Sequence, residues 1–177
     1  GEFQIANACN AYHDLCNRLP AFLMYELVRP VVRDIIEKAA TSGFGRDVIA
    51  ADPASFWTSL ARQPQILRQR VRLNSYPIFE RNEQTHQNKF RYLDHWLYSG
   101  HRKAGFRVSP LLKISMAELD KALHRYCRFD HRLERGEIAM ANNHIIAHRQ
   151  NAFSDSSDDP NHPGRLLVRC WMKVDLN

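Results

Sequence analysis

The segment from Arg165 to Val174 leaves the chain little freedom, because its side chains alternate strictly. Leu166, Val168, Cys170, Met172 and Val174 fall on one side of an extended backbone, and Arg165, Leu167, Arg169, Trp171 and Lys173 on the other. One wholly apolar face requires a strand laid on a core. Two guanidinium groups four residues apart on the opposite face suit an acidic small molecule, since Arg grips a carboxylate through two parallel hydrogen bonds. Upstream, Ile138 to Asn142 reads as another strand, and Asn143 to Gln150 carries His148. Between them, Ser154 to Gly164 holds no apolar side chain except proline and reads as a solvated loop.

The chain has 177 residues, 44% of them hydrophobic, enough for a single domain with a real core. The net charge of +6 admits acidic ligands or nucleic acid and selects neither. No apolar run approaches the roughly 18 residues that span a membrane, and no signal peptide is visible. Cys9, Cys16, Cys127 and Cys170 form no C-x-x-C pair, so they read as reduced, buried thiols of a cytoplasmic protein.

The first third reads as helical. Ile5, Ala8, Cys9, Tyr12, Leu15, Cys16 and Leu19 recur at helical steps. Pro20 can open a second helix with Phe22, Leu23, Leu27, Val31, Ile35 and Ile36 on its apolar face, which Pro30 can kink or split. Gly43 and Gly45 end that segment, and Asp52-Pro53 starts a third helix. Beyond it, Ile66 to Asn74 and Phe90 to Leu93 read as strands, and Asp94 to Ser99 fits either a strand or a helix. Ser109-Pro110 breaks the pattern, and Ser115-x-x-Glu118 is a capping box for a helix at about 115–128. The expectation is a helical segment over 1–63 and strands with one helix over 64–177.

The segment Gly136-Glu137, Asn142-Asn143, His148, Phe153, then Arg165, Leu167, Arg169 and Trp171 resembles the C-terminal signature of the taurine dioxygenase family. These are iron(II)- and 2-oxoglutarate-dependent oxygenases, related to γ-butyrobetaine hydroxylase and clavaminate synthase. The Asn143-to-His148 spacing fits the family pattern, whereas Gln150 stands where the family usually has Arg. The resemblance implies that His148 is a metal ligand, that Arg165 binds the far carboxylate of 2-oxoglutarate, and that Arg169 faces cosubstrate or substrate. Asn143 would be a turn residue supporting the histidine strand. Gly1-Glu2-Phe3 resembles the family's G-G-[ED]-T turn entered halfway, with Phe3 in place of a cosubstrate-binding Thr.

The implied fold is α+β, a double-stranded β-helix (jelly roll) with flanking helices. Five or six strands are legible against the eight of a full jelly roll, so its N-terminal strands are expected to be missing. The implied cofactors are Fe(II) and 2-oxoglutarate, and the implied activity is C–H hydroxylation or a related oxidation of a small acidic or amino-acid-like molecule. Such iron sites use two histidines and one carboxylate. None of the nine histidines has Asp or Glu two residues on, so the family's H-x-D/E pair is absent. Two explanations stand open. In one, the chain is a fragment completed by an N-terminal segment or by another chain. In the other, it is a non-catalytic basic binding module for an acidic ligand or nucleic acid.

Competing chemistry has weaker support. Asp155, Asp158, Asp159 and His162 match no calcium loop. Arg68, Arg70 and Arg72 alternate as a solvated strand face does, and with His101-Arg-Lys103 they make no aromatic-lined nucleic-acid patch. There is no P-loop and no dinucleotide fingerprint.

Overall fold

The computed structural model describes residues 3–34, 64–83, 88–131, 133–134 and 136–150. Strand β1 (Phe3–Asn7) passes without a loop into helix α1 (Ala8–Arg18). The hinge is Asn7, whose side chain accepts the Asn10 amide at 3.0 Å and caps the helix. The helical spacing read from Ile5 therefore begins three residues late. The apolar periodicity cannot distinguish a strand residue from a helix residue at its edge; the cap can. Phe3 lies in β1, and Gly1 and Glu2 of the turn expected there lie outside the described residues. The stripe of α1 that is buried consists of Ala8, Ala11 and Leu15. Cys9 falls beside it, half-buried like Cys127, and Cys16 is exposed; all three thiols are unbridged, and Cys170 lies outside the described residues.

Helix α2 (Ala21–Val28) starts after Pro20 as expected but stops before Pro30 rather than kinking there. The chain then extends as β2 (Val31–Val32), paired antiparallel with β3 (Ser75–Tyr76). The expected third helix, Ile35, Ile36 and the two glycines lie outside the described residues.

Residues Pro64–Leu73 form helix α3, not the strand that alternation suggested. Val71 is buried, while Leu73 is 72% exposed. Arg72 donates to the Ala104 carbonyl at 3.1 Å and lies over the Phe106 ring, 4.8 Å from its centre. A helix satisfies one inward valine and this arginine, and Pro64 costs nothing in a first turn. Strands β4 (Phe79–Arg81) and β5 (Asn88–Phe90) form an antiparallel ribbon, so of the strand expected at Phe90–Leu93 only Phe90 is in a strand.

Helix α4 (Asp94–Ala104) settles the ambiguous Asp94 segment. Asp94 sits in its first turn, His101, Arg102 and Lys103 in its last, and Gly105 closes it with φ 79°. Ser109-Pro110 starts helix α5 (Pro110–Arg125) rather than merely interrupting the pattern. Ser109 caps it by accepting the Leu112 amide at 3.1 Å. The expected cap, Ser115, is instead buried mid-helix and donates to the Leu23 carbonyl at 2.9 Å. Its partner Glu118 pairs with Lys121 at 2.6 Å.

Strand β6 (Cys127–His131) and strand β7 (Ile146–Gln150) flank β1, giving the order β6-β1-β7, antiparallel throughout. The strand expected at Ile138–Asn142 is irregular, with Ile138 85% and Met140 80% exposed, and no described strand pairs with it. The α+β class holds. The described strands make one three-stranded sheet and two two-stranded ribbons, which do not assemble a double-stranded β-helix. Three helices, not one, fall after residue 64, and a strand opens the segment read as helical. No described helix is long and apolar enough to cross a membrane.

Helices α1 and α2 pack on α5 around Leu15, Leu27, Leu112, Met116 and Leu119. Tyr12, Phe79, Phe90 and Tyr92 continue this core as a row of rings with centroids 4.9, 5.1 and 6.2 Å apart. A second, polar interior joins β2, α3 and α4. Arg33 is fully buried and donates to the carbonyls of Pro77 (3.4 Å) and Arg91. Asp34 accepts from Ser99 at 2.6 Å and from Lys103 at 2.7 Å. Asn74 donates to the carbonyls of Arg33 and Asp34 at 3.2 and 2.7 Å. The bonds from Ser99 and Lys103 require α4 to approach the Arg33–Asp34 backbone closely.

Gly100 makes that approach possible. A methyl group there would lie 2.6 Å from the Asp34 nitrogen and closer still to the Arg33 carbonyl carbon. Helix propensity favours Ala over Gly by about 1 kcal/mol, but the clash is with backbone that cannot rotate away. Gly100→Ala should therefore destabilise the chain by roughly 1–3 kcal/mol, the usual cost of overpacking, measured by denaturant unfolding. A variant as stable as the parent would show that α4 is not seated this tightly.

Candidate functional site

His148 lies at the centre of β7, directly opposite Ile5 of β1. Directly opposed residues of an antiparallel pair project to the same face. Ala147 pairs with Ala6, and both sit on the face covered by helices: Ala6 is buried and Ala147 packs on the apolar core. His148 and Ile5 therefore project from the opposite face, where both are half-buried. Arg149, beside the Gln150 that departs from the expected motif, belongs to the helix face. Its Nε donates to Gln4 at 2.6 Å and its Nη1 to His124 Nε2 at 3.0 Å.

The turn that launches this strand is built by Asn142. Its side chain accepts the His144 amide at 2.9 Å, and its carbonyl accepts the amides of Ile145 and Ile146 at 2.9 and 3.1 Å. Asn143, singled out from the sequence as the supporting residue, lies in this turn, but the hydrogen bonds that shape it are its neighbour's. An Asn before a two-residue step to the bonded amide is the usual signal of such a turn, and in an Asn-Asn pair it does not say which residue acts. Two outside bonds anchor the turn: Ala8 donates to the Ile145 carbonyl at 3.0 Å and Phe90 to the His144 carbonyl at 2.8 Å.

His144 is not on the strand with His148 but in the turn. Its partial burial, and then the positive charges of Arg91 and Lys89, hold its imidazole below the usual histidine range. His131 shares the His148 face, since it sits opposite Phe3, two residues along β1 from Ile5. Two strand spacings separate it from His148, about 10 Å. Its Nε2 meets the Glu137 carboxylate at 2.8 Å. Among the described residues no three His, Cys, Asp or Glu side chains come together to hold a metal. An iron site of the expected type needs two histidines and a carboxylate, and the described residues bring no such trio together. These donors do not complete the group. Arg165 and Arg169 lie outside the described residues, as does the loop between them and His148.

The profile of the family described as "Taurine catabolism dioxygenase TauD, TfdA family" matches residues 1–171, nearly the whole chain. The chain belongs to that family, whose members are generally dioxygenases that use iron(II) and 2-oxoglutarate. A curated relative, FR-33289 synthase of Streptomyces rubellomurinus, is 27% identical over 85 residues. The matched segment covers 48% of this chain and 25% of that protein, so the chain spans well under two thirds of its relative.

The lowered pKa of His144 has a consequence for stability. A neutral-preferring histidine takes up its proton more readily in the unfolded chain, whose ordinary value is near 6.5. Stability should fall as pH drops below about 6.5, and His144→Asn should lessen that loss. A His144 ring signal titrating at or above 6.5 in an NMR series would remove the effect.

Proposed function

We propose that this chain is the C-terminal, cosubstrate-binding part of an iron(II)- and 2-oxoglutarate-dependent oxygenase that hydroxylates, or similarly oxidises, a C–H bond of a small acidic or amino-acid-like molecule. The observation that carries this reading is the placement of His148. It stands on the sheet face turned away from the helices, the side on which a second layer of strands would enclose a cavity, and it does so in a chain of this family. Iron(II) with 2-oxoglutarate supplies the oxidising chemistry when bound. His148 supplies one imidazole ligand, held by β1 on one side and by the Asn142 turn on the other. Arg165 grips the distal carboxylate of the cosubstrate, and Arg169 holds either cosubstrate or an acidic substrate. Asn143 supports the histidine strand. The remaining histidine and carboxylate come from outside this chain, from an N-terminal segment of the whole protein or from another chain.

One observation favours a second reading. The described residues assemble no complete ligand set, and the chain has no H-x-D/E pair. This suits a non-catalytic member that keeps the basic strand to bind an acidic ligand.

The complete protein, given iron(II), should convert 2-oxoglutarate to succinate, and His148→Ala should abolish both turnover and iron binding. Arg165→Ala should weaken 2-oxoglutarate binding by roughly 2–5 kcal/mol, the cost of truncating one partner of a buried charge pair. Iron retention by the His148 variant, or unchanged cosubstrate affinity in the Arg165 variant, would remove that residue from the site. Absence of turnover with an acidic ligand still bound would select the second reading.

A further inference from the structure

A groove of about 630 Å³ opens where the end of α4 meets the start of α5, within the size range of small-molecule sites. It is distinct from the His148 region. Helix α5 has 16 residues, about 24 Å of length; the groove lies at its N-terminal end and the sheet follows its C-terminal end. Three permanent cations line it from three elements: Arg102 from α4, Arg107 from the connection, and Lys113 from α5. All three are exposed, and none makes an ion pair among the described residues. No acidic side chain is among the described lining residues. The carboxylates bonded to the lining serines are also engaged by cations: Glu26 accepts from Ser109 at 3.3 Å and from Arg29 at 2.6 Å, and Asp34 accepts from Ser99 and Lys103.

An independent feature marks the groove as more than a basic surface. His101 lines it, yet is only 8% exposed. Its Nδ1 lies 2.8 Å from the Leu97 carbonyl, which can only accept, so Nδ1 carries the proton. A ring with that single proton leaves Nε2 as an acceptor, and Nε2 makes no hydrogen bond among the described residues. Tyr98 and Phe106 form half-exposed aromatic walls, and Arg72 covers one face of Phe106.

We propose that this groove binds a phosphate ester carrying a hydroxyl group, such as a sugar phosphate. Cations converging from three directions suit the three oxygens of a phosphate better than the flat pair of a carboxylate. Nε2 of His101 accepts the ligand's hydroxyl, and an aromatic wall covers its carbon skeleton. The site uses none of the residues assigned to oxygenase chemistry, so it stands or falls separately from that reading.

The test is calorimetric titration of the protein, without iron or 2-oxoglutarate, using ribose 5-phosphate, inorganic phosphate and ribose. Ribose 5-phosphate should bind saturably and at least tenfold more tightly than either fragment. The double variant Arg107→Ala/Lys113→Ala, which alters only exposed side chains, should weaken it at least tenfold. His101→Phe, checked for folding by its unfolding transition, should erase the preference for ribose 5-phosphate over phosphate while leaving phosphate binding in place. Absence of saturable binding, unchanged affinity in the double variant, or equal affinity for phosphate and ribose 5-phosphate would each overturn the proposal.

Discussion

The pairing of β1 with strands on both its sides is the constraint from which the rest of this structure follows. Phe3–Asn7 satisfies its backbone groups against β6 and β7, segments more than a hundred residues further on. Closing such loops is entropically costly, and only the burial that accompanies it makes the pairing stable. Because Asn7 both ends the strand and caps α1, the sheet and the helical layer are joined rigidly at one residue. Alternation along β1 then divides the sheet. Ala6 and Ala147, small enough to admit α1 and α5, take the helix side. Ile5 and His148 are left facing the other way.

The polar interior around Arg33 and Asp34 has the corresponding role for α4. Burying a guanidinium and a carboxylate is costly unless hydrogen bonds replace water on both. Here carbonyls receive the guanidinium, and Ser99 and Lys103 receive the carboxylate. Exposed ion pairs, such as Asp14 with Arg18 and Arg125 across α1 and α5, contribute far less. Since Ser99 and Lys103 flank His101 and Arg102 on α4, the buried carboxylate also fixes the orientation of the basic groove. The core chemistry and the candidate phosphate site are thus mechanically connected.

Family membership and the ligand inventory bear on different questions. The first assigns the chain to a dioxygenase family over nearly its whole length. The second finds, among the described residues, no three ligating side chains brought together. They are compatible because a facial triad is built from residues remote in sequence, and a fold can hold one ligand in place without containing the others.

Local chemistry decided what could be read from residues alone. The α+β class, the helix opened by Pro20 and the strand bearing His148 all rest on signals confined to a few residues, and these survive folding. The family signature belongs with them, since spacing along the chain is independent of packing. What failed was periodicity without context. Arg70-Val71-Arg72-Leu73 alternates, yet the segment is a helix, because its one buried valine and its arginine over Phe106 are satisfied by α4, which no local pattern mentions. Ser115 looked like a cap and is a buried donor to α2. Only tertiary contacts could decide which face His148 occupies, that Arg33 is interior, and that Arg102, Arg107, Lys113 and His101 converge. Each depends on elements brought together across long stretches of chain, where burial and not sequence distance sets the energy.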